Sequence, residues 1–349
     1  MRTNWPLQAA LSAIVLATAC FVGLRLLPPV VAGGGGAYGE PTAASEVSWS
    51  VERIGAPAAW QRTVGASGIV VAVIDSGIDT GAPLLADKLW INTGEIPGNG
   101  IDDDQNGYVD DVHGWDFRDN DSGSAVGSKL HWHGTFVAGI IAAQRGPEQI
   151  AGIAPGVRIM DVRFLDSRNL FYGRDWERFA QAIDYAVDNG AQVINLSIYA
   201  NGQPPRCLEV ALNRAVREGV IVVGIAGNGN NDQVCYPGRF DAVFAVSATD
   251  EQDRLATFSN HGQCVAVAAP GSDIVSVGAD GAAKKASGTS FAAPHVSGTL
   301  ALILSADPSL TTQEAVSILL GSCDDLGSLG CDAEFGAGLV QAGDAVSGL

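Results

Sequence analysis

The stretch IVVAVID, residues Ile69–Asp75, is an unbroken apolar run of strand length that ends on an acid. A strand with one face in water alternates apolar and polar residues, so a run without alternation belongs to a strand covered on both faces. Three further runs share this character: QVINLSI from Gln192, VIVVGIAG from Val220 and AVFAVSA from Ala242. Between them Trp176, Phe179, Ile183 and Val187 recur at helical spacing before Asn189-Gly190, and Leu208–Glu218 makes a second helical pattern closed by Gly219. Strands alternating with helices predict an α/β fold, a doubly wound and mostly parallel sheet with helices on both faces. Sites in such sheets form at the carboxyl ends of the strands.

Composition agrees. The 349 residues are 47% apolar and 17% charged, enough to bury a large core, and no solenoid or propeller period repeats. The formal net charge of −18, without clusters of Lys and Arg, excludes a nucleic-acid partner. At the amino end Arg2 precedes an apolar stretch from Trp5 to Leu24, and LLPPVVAGGGGAYGE then breaks it with prolines and small residues. This is the pattern of a secretory signal, with cleavage expected after Ala32. A lipoprotein site at Cys20 and a retained membrane anchor are the alternatives. Residues 1–32 are therefore expected to be a signal peptide or anchor, 33–47 a short linker and 48–349 one domain; removal of 1–32 leaves a net charge of −20. An exported monomer is expected, touching a membrane through the amino-terminal anchor alone. Export permits disulfides, and Cys207 with Cys235 and Cys323 with Cys331 are candidate pairs, leaving Cys264 in CVAVAAPG as a buried thiol.

Four chemically useful side chains fall at element ends. Asp75 closes the first strand, Asn228 follows the strand ending in GIAGNGN, His133 opens the helical stretch HGTFVAGIIAAQ, and Ser290 opens a helix in SGTSFAAPHVSG. Each alone is an ordinary turn, cap or loop residue. Together, separated in sequence and falling at element ends, they match one mechanism. Pro294 is expected in the first turn of its helix, where a missing N–H is tolerated, and His295 is expected to be structural.

The blocks VAVIDSGID, HGTFVAGIIAA, AGNGN and SGTSFAAPHVSG, in this order, resemble the signature blocks of the subtilisin-like serine proteases. GIAPGVRIMDVRFLD, FSNHG before VAVAAPG, and FGAGLVQAGDAV are similar to further family stretches, so the resemblance spans about residues 48–346. It implies a secreted endopeptidase acting on polypeptides through an acyl-enzyme. Ser290 would be the nucleophile, His133 the general base, Asp75 its orienting acid and Asn228 an oxyanion donor. His131, His113 and His261 lie outside the HGT context and read as surface or packing residues. GTSFA also approaches the nucleophile elbow of esterases, but that fold places its acid and histidine after the serine, where His295 alone remains. Members usually carry a second, non-catalytic histidine at Phe136 and glycines where Ile198, Tyr199 and Ala200 stand; the latter departure predicts a reshaped substrate cleft. The segment between Ala32 and SWSVERIGAPAAW is too short for a prosegment with its own core.

NGIDDDQNGYVDDVHGWDF, residues 99–117, is a second site candidate. Asp102, Asp104 and Asn106 at alternate positions, Gly107 at the turn, the Tyr108 carbonyl and Asp110 match the first nine positions of a calcium loop, and Asp111 could replace one of them. His113 stands where such loops carry a bidentate glutamate, and no helices flank the segment. Structural calcium is expected, with no organic cofactor. The rival reading of the whole chain is a catalytically inactive, calcium-dependent binding protein on the same scaffold.

Overall fold

The computed structural model describes residues 30–31, 47–123, 130–146 and 148–349. In chain order the elements are β1 (Val30–Val31), α1 (Trp49–Arg53), α2 (Ala56–Ala59), β2 (Val70–Asp75), β3 (Gly114–Asp116), α3 (Trp132–Ala142), β4 (Arg158–Arg163) and β5 (Leu170–Phe171). There follow α4 (Trp176–Asp188), β6 (Val193–Leu196), α5 (Arg206–Arg217), β7 (Ile221–Ile225), β8 (Val243–Thr249), β9 (Val265–Pro270), β10 (Ile274–Val277) and β11 (Ala283–Ala286). The chain ends with α6 (Thr289–Ala306), α7 (Thr312–Gly321) and α8 (Ala342–Ser347).

Seven strands form one sheet in the order β3-β4-β2-β6-β7-β8-β9, and every neighbouring pair is parallel. All six residues of β2 are buried, as its unbroken apolar run requires. Its side chains divide between two cores: Val71 and Val73 join the layer that contains α3 and α6, while Val70, Ala72 and Ile74 join the layer that contains α4 and α5. The α/β expectation is thus met, with helices on both faces.

The topology positions the site. The chain starts the sheet at β2, moves outward on one side to β3 and β4, then crosses to β6 and winds outward on the other side. The connection after β2 goes to one side and the one after its neighbour β6 to the other, which opens a crevice at the carboxyl ends of these two strands. Asp75 is the last residue of β2.

Two local expectations are corrected. Pro294 is the sixth residue of α6, inside the helix. Proline has no N–H to give the carbonyl four residues back, which is that of Ser290; Ser197 Oγ donates to that carbonyl instead, at 2.8 Å. Neither candidate disulfide is formed among the described cysteines, and Cys264 is exposed because it precedes β9 by one residue. Cys235 Sγ lies 3.3 Å from Asn201 Oδ1, and Cys323 Sγ donates to the Leu319 carbonyl at 3.2 Å. Cys20 and the remainder of the apolar amino-terminal stretch lie outside the described residues. Among the described residues no helix is long and apolar enough to cross a membrane.

Candidate active site

The end of β2 and the start of α3 are stapled together by side chains that bond backbone groups. Ser76 Oγ donates to the His131 carbonyl and accepts from the Gly134 N–H, both at 3.0 Å. Thr135 Oγ1 accepts from the Asp79 N–H at 2.9 Å. The approach is close: a Cβ on Gly134 would stand 2.5 Å from the Gly77 carbonyl oxygen, so a larger residue would push α3 away. The effect is to set His133 against Asp75.

His133 and Asp75 are both fully buried. His133 Nδ1 donates to Asp75 Oδ1 at 2.8 Å, and the Ser76 N–H donates to the same oxygen at 2.7 Å. A carboxylate only accepts, so the proton sits on Nδ1 and the lone pair on Nε2. Nε2 is buried and has no hydrogen-bond partner among the described residues. The imidazole is thus held in the tautomer that can take a proton at Nε2.

Ser290 is the second residue of α6. The adjoining Phe291 ring packs against the His133 ring with centroids 5.4 Å apart, and against Phe136 at 4.7 Å. Phe136 is an apolar support here, in a position where a histidine would be its polar counterpart. The serine is held from β6 as well. Ser290 Oγ lies 3.3 Å from the Ser197 carbonyl, Asn195 Nδ2 donates to Ser197 Oγ at 3.0 Å, and Ser297 Oγ donates to Asn195 Oδ1 at 2.9 Å.

Asn228 approaches from the loop after β7. Its Oδ1 accepts from both the N–H and the hydroxyl of Thr289, each at 2.8 Å. That fixes the amide and leaves Nδ2 buried and without a partner among the described residues. A Cβ built on Gly288 would sit 3.7 Å from Nδ2, so this unused donor lies at the amino end of α6, beside Ser290. Gly227 makes the approach possible: its φ is +113°, and a Cβ there would meet Asn260 Nδ2 at 2.6 Å and Cys235 Sγ at 2.7 Å.

The structure pairs Asp75 with His133, packs Phe291, the neighbour of Ser290, on the His133 ring, and sets Asn228 against Thr289, the residue before Ser290. It also adds residues that sequence reasoning passed over. His131 is the N-cap of α3, its Nδ1 accepting from the His133 N–H at 3.3 Å. Burial, with the neighbouring His133, pushes its pKa down to about 4, consistent with an imidazole that must stay neutral to accept. Ser76 and Ser197 were equally silent, because a serine near an element end is the commonest of turn residues. His295 is buried with Nδ1 on the Phe291 carbonyl at 2.8 Å, which fits its expected structural role.

The acidic segment folds differently from a contiguous calcium loop. Asp102 accepts from the Asn106 and Gly107 N–H groups, and Asp110 accepts from those of Asn99 and Gly100. Both are occupied in shaping the turn. The Tyr108 ring packs on Trp115 and Tyr185, and Asn106 Nδ2 bridges Asp104 and Asp111. The carboxylates that converge are Glu95, Asp104 and Asp111, with oxygens within 4.8 Å of one another. Asp111 is fully buried, and desolvation raises its pKa. Converging hard oxygens around a buried carboxylate fit a cation such as calcium, and this cluster can hold a metal ion. Glu95 escaped sequence reasoning because it lies outside the acidic run.

The amino-acid sequence matches the subtilase family over residues 66–338. It is 41% identical to the thermophilic serine proteinase of Bacillus sp. (strain AK1) over 248 residues, which are 71% of this chain and 55% of that protein. It is 37% identical to thermitase of Thermoactinomyces vulgaris, covering 75% of this chain and 83% of thermitase. Subtilisin BL of Lederbergia lenta is 33% identical across 86% of this chain and 98% of its own length. With this match spanning most of the chain, and the crevice at β2 built as described, the chain belongs to the subtilase family.

Proposed function

We propose that the protein is a serine endopeptidase that cleaves polypeptides through an acyl-enzyme on Ser290. Ser290 Oγ adds to the peptide carbonyl as its proton passes to His133 Nε2. His133 then returns that proton to the leaving amine, and water hydrolyses the ester by the same route in reverse. Asp75 keeps the imidazole in its Nδ1–H tautomer and stabilises the imidazolium. Asn228 Nδ2, with the Ser290 N–H at the start of α6, donates to the oxyanion. The relatives named serine proteinase, thermitase and subtilisin support this reading.

The observation that carries it is the Asn228 amide. A buried donor without a partner costs about 1–3 kcal/mol, a cost no structural role recovers. Its position beside Ser290 accounts for it, since a carbonyl oxygen turning into an oxyanion there would be the missing acceptor. In the test, a serine-directed phosphonate labels wild type at Ser290, and Ser290→Ala is folded, unlabelled and inactive on an unfolded protein substrate. A folded wild type that is neither labelled nor active, yet binds calcium, would leave the inactive binding-protein reading standing.

Two further roles belong to this reading. Glu95, Asp104 and Asp111 hold structural calcium, with the Asn106 and Tyr108 turn shaping the loop around them. The apolar stretch from Trp5 to Leu24 directs export.

A further inference from the structure

Asn228 stands between Gly227 and Gly229, in the loop that leaves β7 after Ile225. Glycine restrains the backbone least of all residues, and Gly227 has a φ of +113°, which other residues rarely adopt. Thr289 holds the Asn228 amide by its oxygen. The backbone that carries the amide needs a hold of its own, because misplacing a catalytic group by about 1 Å costs about a hundredfold in rate.

That hold comes from FSNHG, residues 258–262, in the loop between β8 and β9. Asn260 is fully buried, and its own N–H donates to the Gly227 carbonyl at 2.8 Å. Its Oδ1 accepts from the Gly229 N–H at 2.8 Å and from the Asn231 N–H at 3.4 Å. Its Nδ2 donates to the Gln233 carbonyl at 3.0 Å and the Ala226 carbonyl at 3.3 Å, with Cys235 Sγ at 3.2 Å. One residue thus ties down both flanks of Asn228 and the return of its loop. The flanking residues add to the clamp: the Asn230 N–H donates to the Phe258 carbonyl and the His261 N–H to the Asn231 carbonyl, each at 3.0 Å. Ser259 Oγ accepts from the Ala248 N–H at 3.0 Å and donates to the Asn260 carbonyl at 2.9 Å, which anchors the clamp on β8. The Asn260 amide spends its acceptor and its donors on backbone groups. An ionised aspartate could only accept and a leucine could do neither, so the residue type answers to the clamp.

We propose that Asn260 is a positioning residue for the reaction, fixing the loop 226–233 so that Asn228 Nδ2 stands where the oxyanion forms. This rests on the endopeptidase reading. Without Asn260 the glycines on either side let Asn228 swing, and Nδ2 no longer keeps one place. The transition state then loses a donor, while the bound substrate, whose carbonyl oxygen is not yet charged, loses little. Asn260 itself touches neither substrate nor the reacting atoms, and its effect passes through Asn228.

The test measures kcat and KM of the full chain on a fluorogenic peptide, in a double-mutant cycle. Asn260→Ala and Asn260→Ser are each expected to lower kcat about tenfold to a hundredfold, with KM within about twofold of wild type. The serine hydroxyl can still bond one of the loop's backbone groups, which keeps the test alive if the alanine variant does not fold. In the Asn228→Ala background the donor is already gone, so adding the Asn260 substitution lowers kcat by less than about twofold. A merely structural role would cost the same factor in both backgrounds. Four results would overturn the proposal: a folded Asn260 variant with the kcat of wild type, a loss carried by KM alone, the full kcat loss repeated on top of Asn228→Ala, or failure of both Asn260 variants to fold. A wild type inert to the peptide and to the phosphonate overturns the endopeptidase reading, and this proposal with it. An active wild type whose kcat falls in Asn228→Ala but not in Asn260→Ala overturns this proposal alone.

Discussion

His131 and His133 stand two residues apart and use their imidazoles in opposite ways. His133 keeps its Nδ1 proton and donates it in a hydrogen bond to Asp75, whereas His131 must keep Nδ1 bare to accept from the backbone of His133. Burial holds His131, and also His295, down at a pKa of about 4 in the folded protein, against 6.5 for a free imidazole. Between those values the unfolded chain binds protons that the folded chain refuses. Stability is therefore full above pH 6.5 and falls as the pH drops toward 4, the slope being set by the proton difference. For the fully buried His295 the loss is of the order of 3 kcal/mol. Thermal unfolding measured from pH 7 to 4.5 should show this decline, and His131→Asn, a cap that does not titrate, should make it shallower. His131→Ala should cost about 1 kcal/mol at pH 7 through the lost cap. At Asn228 the expectation is kinetic: Asn228→Ala lowers kcat by about two to three orders of magnitude with little change in KM, because its donor meets charge formed in the transition state.

At the scale of elements, α6 shows what a sequence pattern can and cannot convey. Its glycines, alanines and serine mark a helix packed at close quarters, and Thr289–Leu304 are indeed all buried. The pattern does not show that Pro294 lies beyond the first turn, nor that Ser197, nearly a hundred residues earlier, supplies the hydrogen bond that the proline cannot. Ser197→Ala should leave the Ser290 carbonyl buried without that donor. The expected cost is about 1–3 kcal/mol in chemical unfolding, with a lower kcat as the nucleophile loses its backing. The strands were legible because burial on both faces leaves an unmistakable apolar run, whereas Cys264, one residue before β9, has the same neighbours in sequence and none of the cover. The acidic loop was half legible. Spacing picked out Asp104 and offered Asp111 as a replacement ligand, but their convergence with Glu95 is a property of the folded path, and sequence spacing carries no information about it.

Over the whole molecule, the strand order at β2 explains why the site could be anticipated: residues at the ends of separate apolar runs converge at a switch in winding direction. The metal cluster lies in the loop feeding the edge strand β3, so an ion there would tie down the side of the sheet entered first. Removing calcium with a chelator should lower the unfolding temperature, and Asp104→Ala should abolish the difference between chelated and calcium-loaded protein. Occupancy at a hundred times the dissociation constant stabilises by about 3 kcal/mol, enough to read in a melting curve.

The order of assembly follows from the same winding. Asp75 lies in the first strand of the central sheet and Ser290 in the long helix that follows its last strand, so the two are joined late in synthesis, after every intervening strand has emerged. A ribosome-bound chain that stops short of α6 has no nucleophile and leaves the face shared by α3 and α6 only partly covered. Such fragments are harmless as hydrolases and conspicuous as unfolded chains. The arrangement makes synthesis through α6 a condition for activity, and it makes folding depend on distant contacts that close slowly.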